Sequence, residues 1–276
     1  MPRPSGRYLA LSRPRRVIAD LVYFAQRVPS VPVERRLNVA AVAAVRSRLP
    51  RRIGWPTLFI KALALTAVAW PALRRAYLGW PWPRLYEHPY SIASVAIERT
   101  FEGEPAVFFA HVHGPEFQPL PDIEDHLQRC KEAPLEELGL FRRALTIARL
   151  PGPVRRFLWW QSLEWSGPKR AKRLGTFGFS AYAGLGAASL HPLSPLTTTL
   201  NYGVIAADGG VDVRLVYDHR VLDGATVARA LATLEQVLHE DVLTELQQLA
   251  ATGSSLTDLT PEERHERQGR ELLADR

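Results

Sequence analysis

The spacing of apolar positions changes several times along the chain, and each change marks an element. Residues 1–35 are basic and irregular except for "RRVIADLVYFAQRV", whose apolar positions recur at helical spacing, and "NVAAVAAVRSR" (38–48) predicts a second helix. The most apolar run is "WPTLFIKALALTAVAWPAL" (55–73), close to the roughly 20 residues that a bilayer span needs. Lys61 lies inside it, Pro56 and Pro71 bracket it, and its interior is rich in alanine, so it reads as a buried helix. Within 91–113 two β-rich runs, "SIASVAIERTF" and "EPAVFFAHVHG", flank a short turn at "EGE" and predict a hairpin.

Residues 122–132 read as a helix. The segment 135–173, "LEELGLFRRALTIARLPGPVRRFLWWQSLEWSGPKRAKR", interleaves Arg and Lys with Leu, Phe and Trp at helical spacing and is broken by "PGP". Three strands follow, at "GTFGFSAY", "TTTLNYGVIAA" and "VDVRLVYDH". A last helix begins after Gly224, with Val227, Leu231, Leu234 and Leu238 on one face. Helices, then strands, then a closing strand and helix predict an α+β fold built on a mixed sheet. The polar tail from about residue 253 is expected to be loosely attached.

Composition narrows the function classes. With 46% hydrophobic and 23% charged positions the chain suits a folded globular protein. Its one cysteine, Cys130, excludes an internal disulfide framework and suits a reducing cytoplasm. The basic N-terminus has no apolar run followed by a cleavage site, so no secretory signal is read. A net charge of +7 favours anionic partners: phosphate-bearing cofactors, nucleic acid or acidic lipid. Nucleic acid is the weakest of these, because no zinc-finger spacing or aromatic RNA-binding signature is present.

The stretch "VYDHRVLDGATVARALATLEQVL" (216–238) carries the chemistry. An apolar strand delivers Asp218, His219 and Arg220 at its end, where His219 would exchange a proton near neutral pH. Asp223 would cap the following helix or pair with an arginine, and Gly224 permits close approach or a positive φ. A capped strand-to-helix turn with an incidental histidine is the plain alternative.

"DHRVLDGA" resembles the DHRxxDG motif in the catalytic domain of dihydrolipoamide acyltransferases, the core component of 2-oxoacid dehydrogenase complexes. It is also similar to the HHxxxDG motif of chloramphenicol acetyltransferase. "GTFGFSAYAGLGAASLHPLSPLTTTLNYG" (175–203) resembles the family's G-T-F-T-[LI]-[ST] strand, small-residue loop and closing strand. "RRVIADLVY" resembles its R-K-x-I-A opening, and "LFIKALALTAVAWPALRRAY" a helix before its "HP" segment.

The resemblance implies a two-layer sandwich of a mixed sheet and helices, chloramphenicol acetyltransferase-like and trimeric, with the active site between subunits. It implies a coenzyme A-dependent acyltransferase in which His219 is the general base and Ser180 stabilises the oxyanion. Asp223 would hold the loop through Arg15 or Arg16, supported by Gly224. Coenzyme A or acyl-CoA would be a substrate, and no metal is called for. The resemblance makes residues 14–250 the catalytic domain, 1–13 a basic arm and 251–276 a polar tail. The lipoyl and subunit-binding domains of the dehydrogenase enzymes are not recognised, so a stand-alone, cytoplasmic enzyme is expected. The rival is an inactive relative serving as a scaffold or assembly protein. A membrane-embedded protein built on 55–73 is the third reading.

Segment 135–173 is longer than its counterpart in these relatives. Trp159, Trp160 and Trp165 with Arg142, Arg143, Arg155, Arg156, Lys169 and Arg170 would form an amphipathic cationic surface. It is expected to recognise a hydrophobic, lipid-like acceptor or donor, to touch a membrane peripherally, or simply to pack on the sheet. His111 and His113 share a strand face without a third ligand, and His191 lies in the loop after Ser180.

Overall fold

The computed structural model describes residues 6–257. In chain order the elements are α1 (Arg13–Ala25), β1 (Ser30–Asn38), α2 (Ala40–Arg46), α3 (Trp55–Ala69), β2 (Arg75–Leu78), β3 (Arg84–Glu87), β4 (Ile92–Phe101) and β5 (Glu104–His113). There follow α4 (Leu120–Glu132), α5 (Gly139–Ile147), α6 (Gly152–Trp160), α7 (Gly167–Leu174), β6 (Phe177–Phe179), β7 (Thr198–Tyr202), β8 (Gly210–Asp218), α8 (Gly224–Val237) and α9 (Leu243–Thr257). Residues 258–276 of the expected polar tail and 1–5 of the expected basic arm lie outside the described residues.

Six strands form a mixed sheet in the order β1-β8-β7-β6-β4-β5; β6 runs parallel to both of its neighbours, β4 and β7, and the other pairings are antiparallel. This is the α+β sandwich expected from the sequence. The 91–113 hairpin turns at Glu102 and Gly103, both at positive φ (51° and 81°), as a tight two-residue connection requires. Strand β1 was not legible: it carries Pro32 and the charges Glu34, Arg35 and Arg36, which edge strands tolerate. It pairs along its whole length with β8, from Ser30 opposite Asp218 to Asn38 opposite Gly210. The strand expected over 175–182 shrinks to β6, entered through Gly175 at φ 87°, where a Cβ would meet the Ile92 carbonyl at 2.9 Å.

On one sheet face α3, α4 and α8 close the main core. Leu58, Phe59 and Leu63 of α3 and Val227, Leu231 and Leu234 of α8 meet Val95, Leu200, Val213 and Leu215 of the strands. Each such fully buried side chain contributes about 1.5–3 kcal/mol. No helix among the described residues is long and apolar enough to cross a membrane. Lys61, the charge inside α3, is neutralised within the fold by Glu245 at 3.4 Å and the Gln118 carbonyl. Glu124 of α4 accepts bonds from the Gly54 N–H, Thr57 and Gln128. Burial alone would raise its pKa, but these bonds prevail and hold it below the usual range. On the opposite face α1 and α5 lie beside β5.

Candidate active site

His219 follows the last residue of β8. Its N–H donates to the Pro29 carbonyl at 3.0 Å, and the Asp218 N–H donates to the Thr197 carbonyl at 2.8 Å, so the turn is clamped between two backbone segments. Asp218 is buried and accepts from three donors of Arg220: its backbone N–H at 3.0 Å, Nε at 2.9 and 3.2 Å to the two carboxylate oxygens, and a terminal nitrogen at 2.7 Å. Burial by itself would lower the Arg220 pKa, but Asp218 holds it above its ordinary value. The Arg220 guanidinium also lies 4.2 Å from the Tyr77 ring centre. This polar run at a strand end is thus a self-contained brace, and it leaves the His219 ring half exposed.

His219 Nδ1 stands 3.7 Å from Asp223, which occupies the N-cap position of α8 without a side-chain capping bond. Neither arginine expected to meet Asp223 does so within the chain: Arg16 Nε donates to the Leu11 carbonyl and Arg15 is exposed. α1 carries both arginines away along the other sheet face, and Asp223 is left 83% exposed. Gly224 is not at positive φ, and a Cβ there would approach the Tyr217 hydroxyl at 3.3 Å.

Ser180 follows β6, where its N–H donates to the Leu200 carbonyl at 3.1 Å. That register sets Ser180 beside Asn201, which pairs with Arg214, which pairs with Glu34. His219 lies five residues beyond Arg214 along β8, roughly 17 Å away, and two strands across, about 10 Å. The two candidate catalytic residues therefore occupy opposite ends of the sheet within one chain. His191 sits at the His219 end, its Nε2 2.8 Å from Ser30 Oγ.

Ser180 lines a cavity of about 350 Å³. Its walls come from α1, α5 and Trp159, and its floor from the sheet face carrying His111, Ser94, Gly178 and Thr199, which stand in one row across β5, β4, β6 and β7. Among the described residues, buried His111 Nδ1 and Thr199 Oγ1 have no hydrogen-bond partner, and neither side-chain atom of Asn201 has one. Burial, then the neighbouring His113 and His126, push the His111 pKa down to about 4. Sequence reasoning missed Asn201 and Thr199. The available signal was "TTTLN" itself, since a central strand with a parallel neighbour is ordinarily apolar on both faces.

A second, more open cleft of about 720 Å³ meets the same strand end from the other face, lined by Arg46, Arg52 and Lys131 as well as Glu98 and Glu124. Phe179 borders both spaces; Ser180 borders the first and Ala181 the second.

In segment 135–173 Arg142, Arg143, Arg156 and Lys169 are exposed, whereas two of the expected cations turn inward. Arg170 is buried, bonded to the carbonyls of Tyr77, Leu163 and Pro195, with its pKa pushed down to about 10 by burial against the opposing pull of Glu164 and Asp218. Arg155 binds buried Asp20 of α1 at 2.6 Å, and Trp159 stacks on Phe24 of α1 at 6.0 Å. Helical periodicity places residues on faces but does not say which face turns inward. Phe157 and Trp165 stay exposed, meeting Trp160.

No protein-family model matches the sequence, and a search of curated proteins finds no match. Solved structures do match. A probable dihydrolipoamide acetyltransferase from Listeria monocytogenes aligns with a TM-score of 0.61 at 16% identity, over 85% of this chain and 95% of that one. The dihydrolipoamide acetyltransferase of Azotobacter vinelandii aligns with a TM-score of 0.60 at 16% identity, over 88% and 94%. The cubic core of a pyruvate dehydrogenase multienzyme complex aligns with a TM-score of 0.58 at 17% identity, over 88% and 94%. Across nearly the whole of those chains, the protein has the fold of dihydrolipoamide acetyltransferase catalytic cores.

Proposed function

We propose that the chain is an acyltransferase that moves an acyl group from a coenzyme A thioester to a thiol, hydroxyl or amine, at sites completed between subunits of a trimer or a multiple of trimers. The observation that carries this reading is the pair of separated half-sites. An exposed, braced His219 stands at one end of the sheet and Ser180 at the other. The loop after Ser180 exposes Leu185 (80%) and Leu190 (72%). Apolar exposure of that kind supports a surface that a partner covers. The likeness to a cubic multienzyme core supports an oligomer, and the Azotobacter enzyme's mechanism was investigated at a serine, a histidine and an asparagine four residues after that histidine. Here Asp223 stands four residues after His219.

In this mechanism Asp223 favours the proton on His219 Nδ1, leaving Nε2 to accept one from the incoming thiol or hydroxyl. The acceptor attacks the thioester carbonyl carbon directly. The developing oxyanion accepts a hydrogen bond from Ser180 Oγ–H of the neighbouring subunit. The tetrahedral intermediate expels the coenzyme A thiolate, which takes the proton from His219. Arg46, Arg52 and Lys131 in the open cleft offer cations for coenzyme A phosphates.

The test is thiol release from acyl-CoAs of increasing chain length with thiol, amine and alcohol acceptors, beside His219→Ala. Turnover that depends on His219 supports the reading. Absence of both turnover and coenzyme A binding refutes it and favours a scaffold.

A further inference from the structure

We infer that the cavity beside Ser180 holds a hydrophobic chain of the substrate, so that this protein transfers to or from a lipid-like molecule; the inference rests on the acyl-transfer reading above. The pocket is partly open to solvent, and its volume of about 350 Å³ falls in the size range of small-molecule sites. Its walls are Ile18, Leu21 and Val22 of α1, Leu140 and Ala144 of α5, and Trp159 of α6. Two of those three helices belong to segment 135–173, so the part of the sequence that stood out as an addition supplies one side of the cavity.

Most of the lining is uncharged; the one permanently charged side chain among the described residues that reaches it, Arg173, donates to Ser162 Oγ at 2.8 Å and to Gln161. His111 is neutral near pH 7. Gly178 keeps the floor open: a Cβ there would stand 2.7 Å from Thr199 Oγ1. Such a space suits an uncharged chain rather than a phosphate. A carbonyl at Ser180 would have the chain on one side and the cation-bearing cleft on the other, an arrangement suited to a thioester lying across the strand end.

The experiment is calorimetric titration of wild type and His219→Ala with acyl-CoAs from acetyl to dodecanoyl, and separately with n-alkanols from butanol to dodecanol. Affinity is expected to rise about fourfold per methylene until the cavity is full, then level off. Ala144→Trp and, independently, Val22→Trp are expected to erase that rise, with circular dichroism showing that each is folded. A rise for both ligand series assigns the chain to the acyl donor; a rise for alkanols alone assigns it to the acceptor. Affinity independent of length in wild type for both series overturns the inference, as does a rise that survives both filled variants. Length-dependent alkanol binding without any acyl-CoA binding would uphold the cavity and refute the acyl-transfer reading.

Discussion

The separation of His219 from Ser180 makes a strong prediction about mixed assemblies. In one chain the two lie roughly 17 Å apart along the strands and about 10 Å across them, so no single carbonyl can lie within hydrogen-bond reach of both. If the proposed acyl transfer uses both residues, each site draws His219 from one subunit and Ser180 from another. His219→Ala alone is expected to lose about 100- to 10,000-fold in turnover, and Ser180→Ala about 100- to 1,000-fold. Co-expressed in equal amounts and assembled at random, the two chains combine an intact histidine with an intact serine at about one quarter of the sites. The mixture should then reach about a quarter of wild-type thiol release, roughly 25-fold above a parent impaired 100-fold. The assay uses the preferred acyl-CoA, with a mixture of wild type and the doubly substituted chain as control. Mixed assemblies no more active than the mean of the two parents would refute the shared-site geometry, since a site within one chain gains nothing from mixing.

Three further outcomes follow from single side chains. Asn201→Leu removes a buried amide with no partner among the described residues and should raise unfolding free energy by about 1–3 kcal/mol in urea titration, while lowering turnover if that amide serves the Ser180 end. His111 holds a pKa of about 4 against an ordinary 6.5, so as pH falls from 6.5 to 4 the unfolded chain takes up a proton that the native one refuses. Native stability therefore falls across that window by up to about 1.4 kcal/mol per pH unit, and His111→Leu should flatten the slope by about one proton with no effect above pH 6.5. Asp20→Ala strands the Arg155 charge between α1 and α6; it should cost about 3 kcal/mol in the same titration, and an undiminished stability would mean that the pair is not a brace.

Much of the architecture was legible along the chain because helices, hairpins and strand-to-helix turns are made by neighbours. The helical spacing of α1 and α8, the alanine-rich burial of α3, the β4–β5 hairpin and the chemical run from Asp218 to Gly224 all depend on residues a few positions apart. Strand β1 escaped notice because its polar sequence is made a strand by β8, about 180 residues later. Arg155 and Arg170 read as surface cations because periodicity assigns a face without assigning what covers it, and here Asp20 and three carbonyls cover them. The sequence alone determined which residues could do chemistry. Only the sheet register decided that His219 and Ser180 lie at opposite ends, that Asn201 stands unpartnered beside Ser180, and that a cavity opens between segment 135–173 and the strands. Register between distant segments is settled by the packing of the whole core, and no local pattern encodes it.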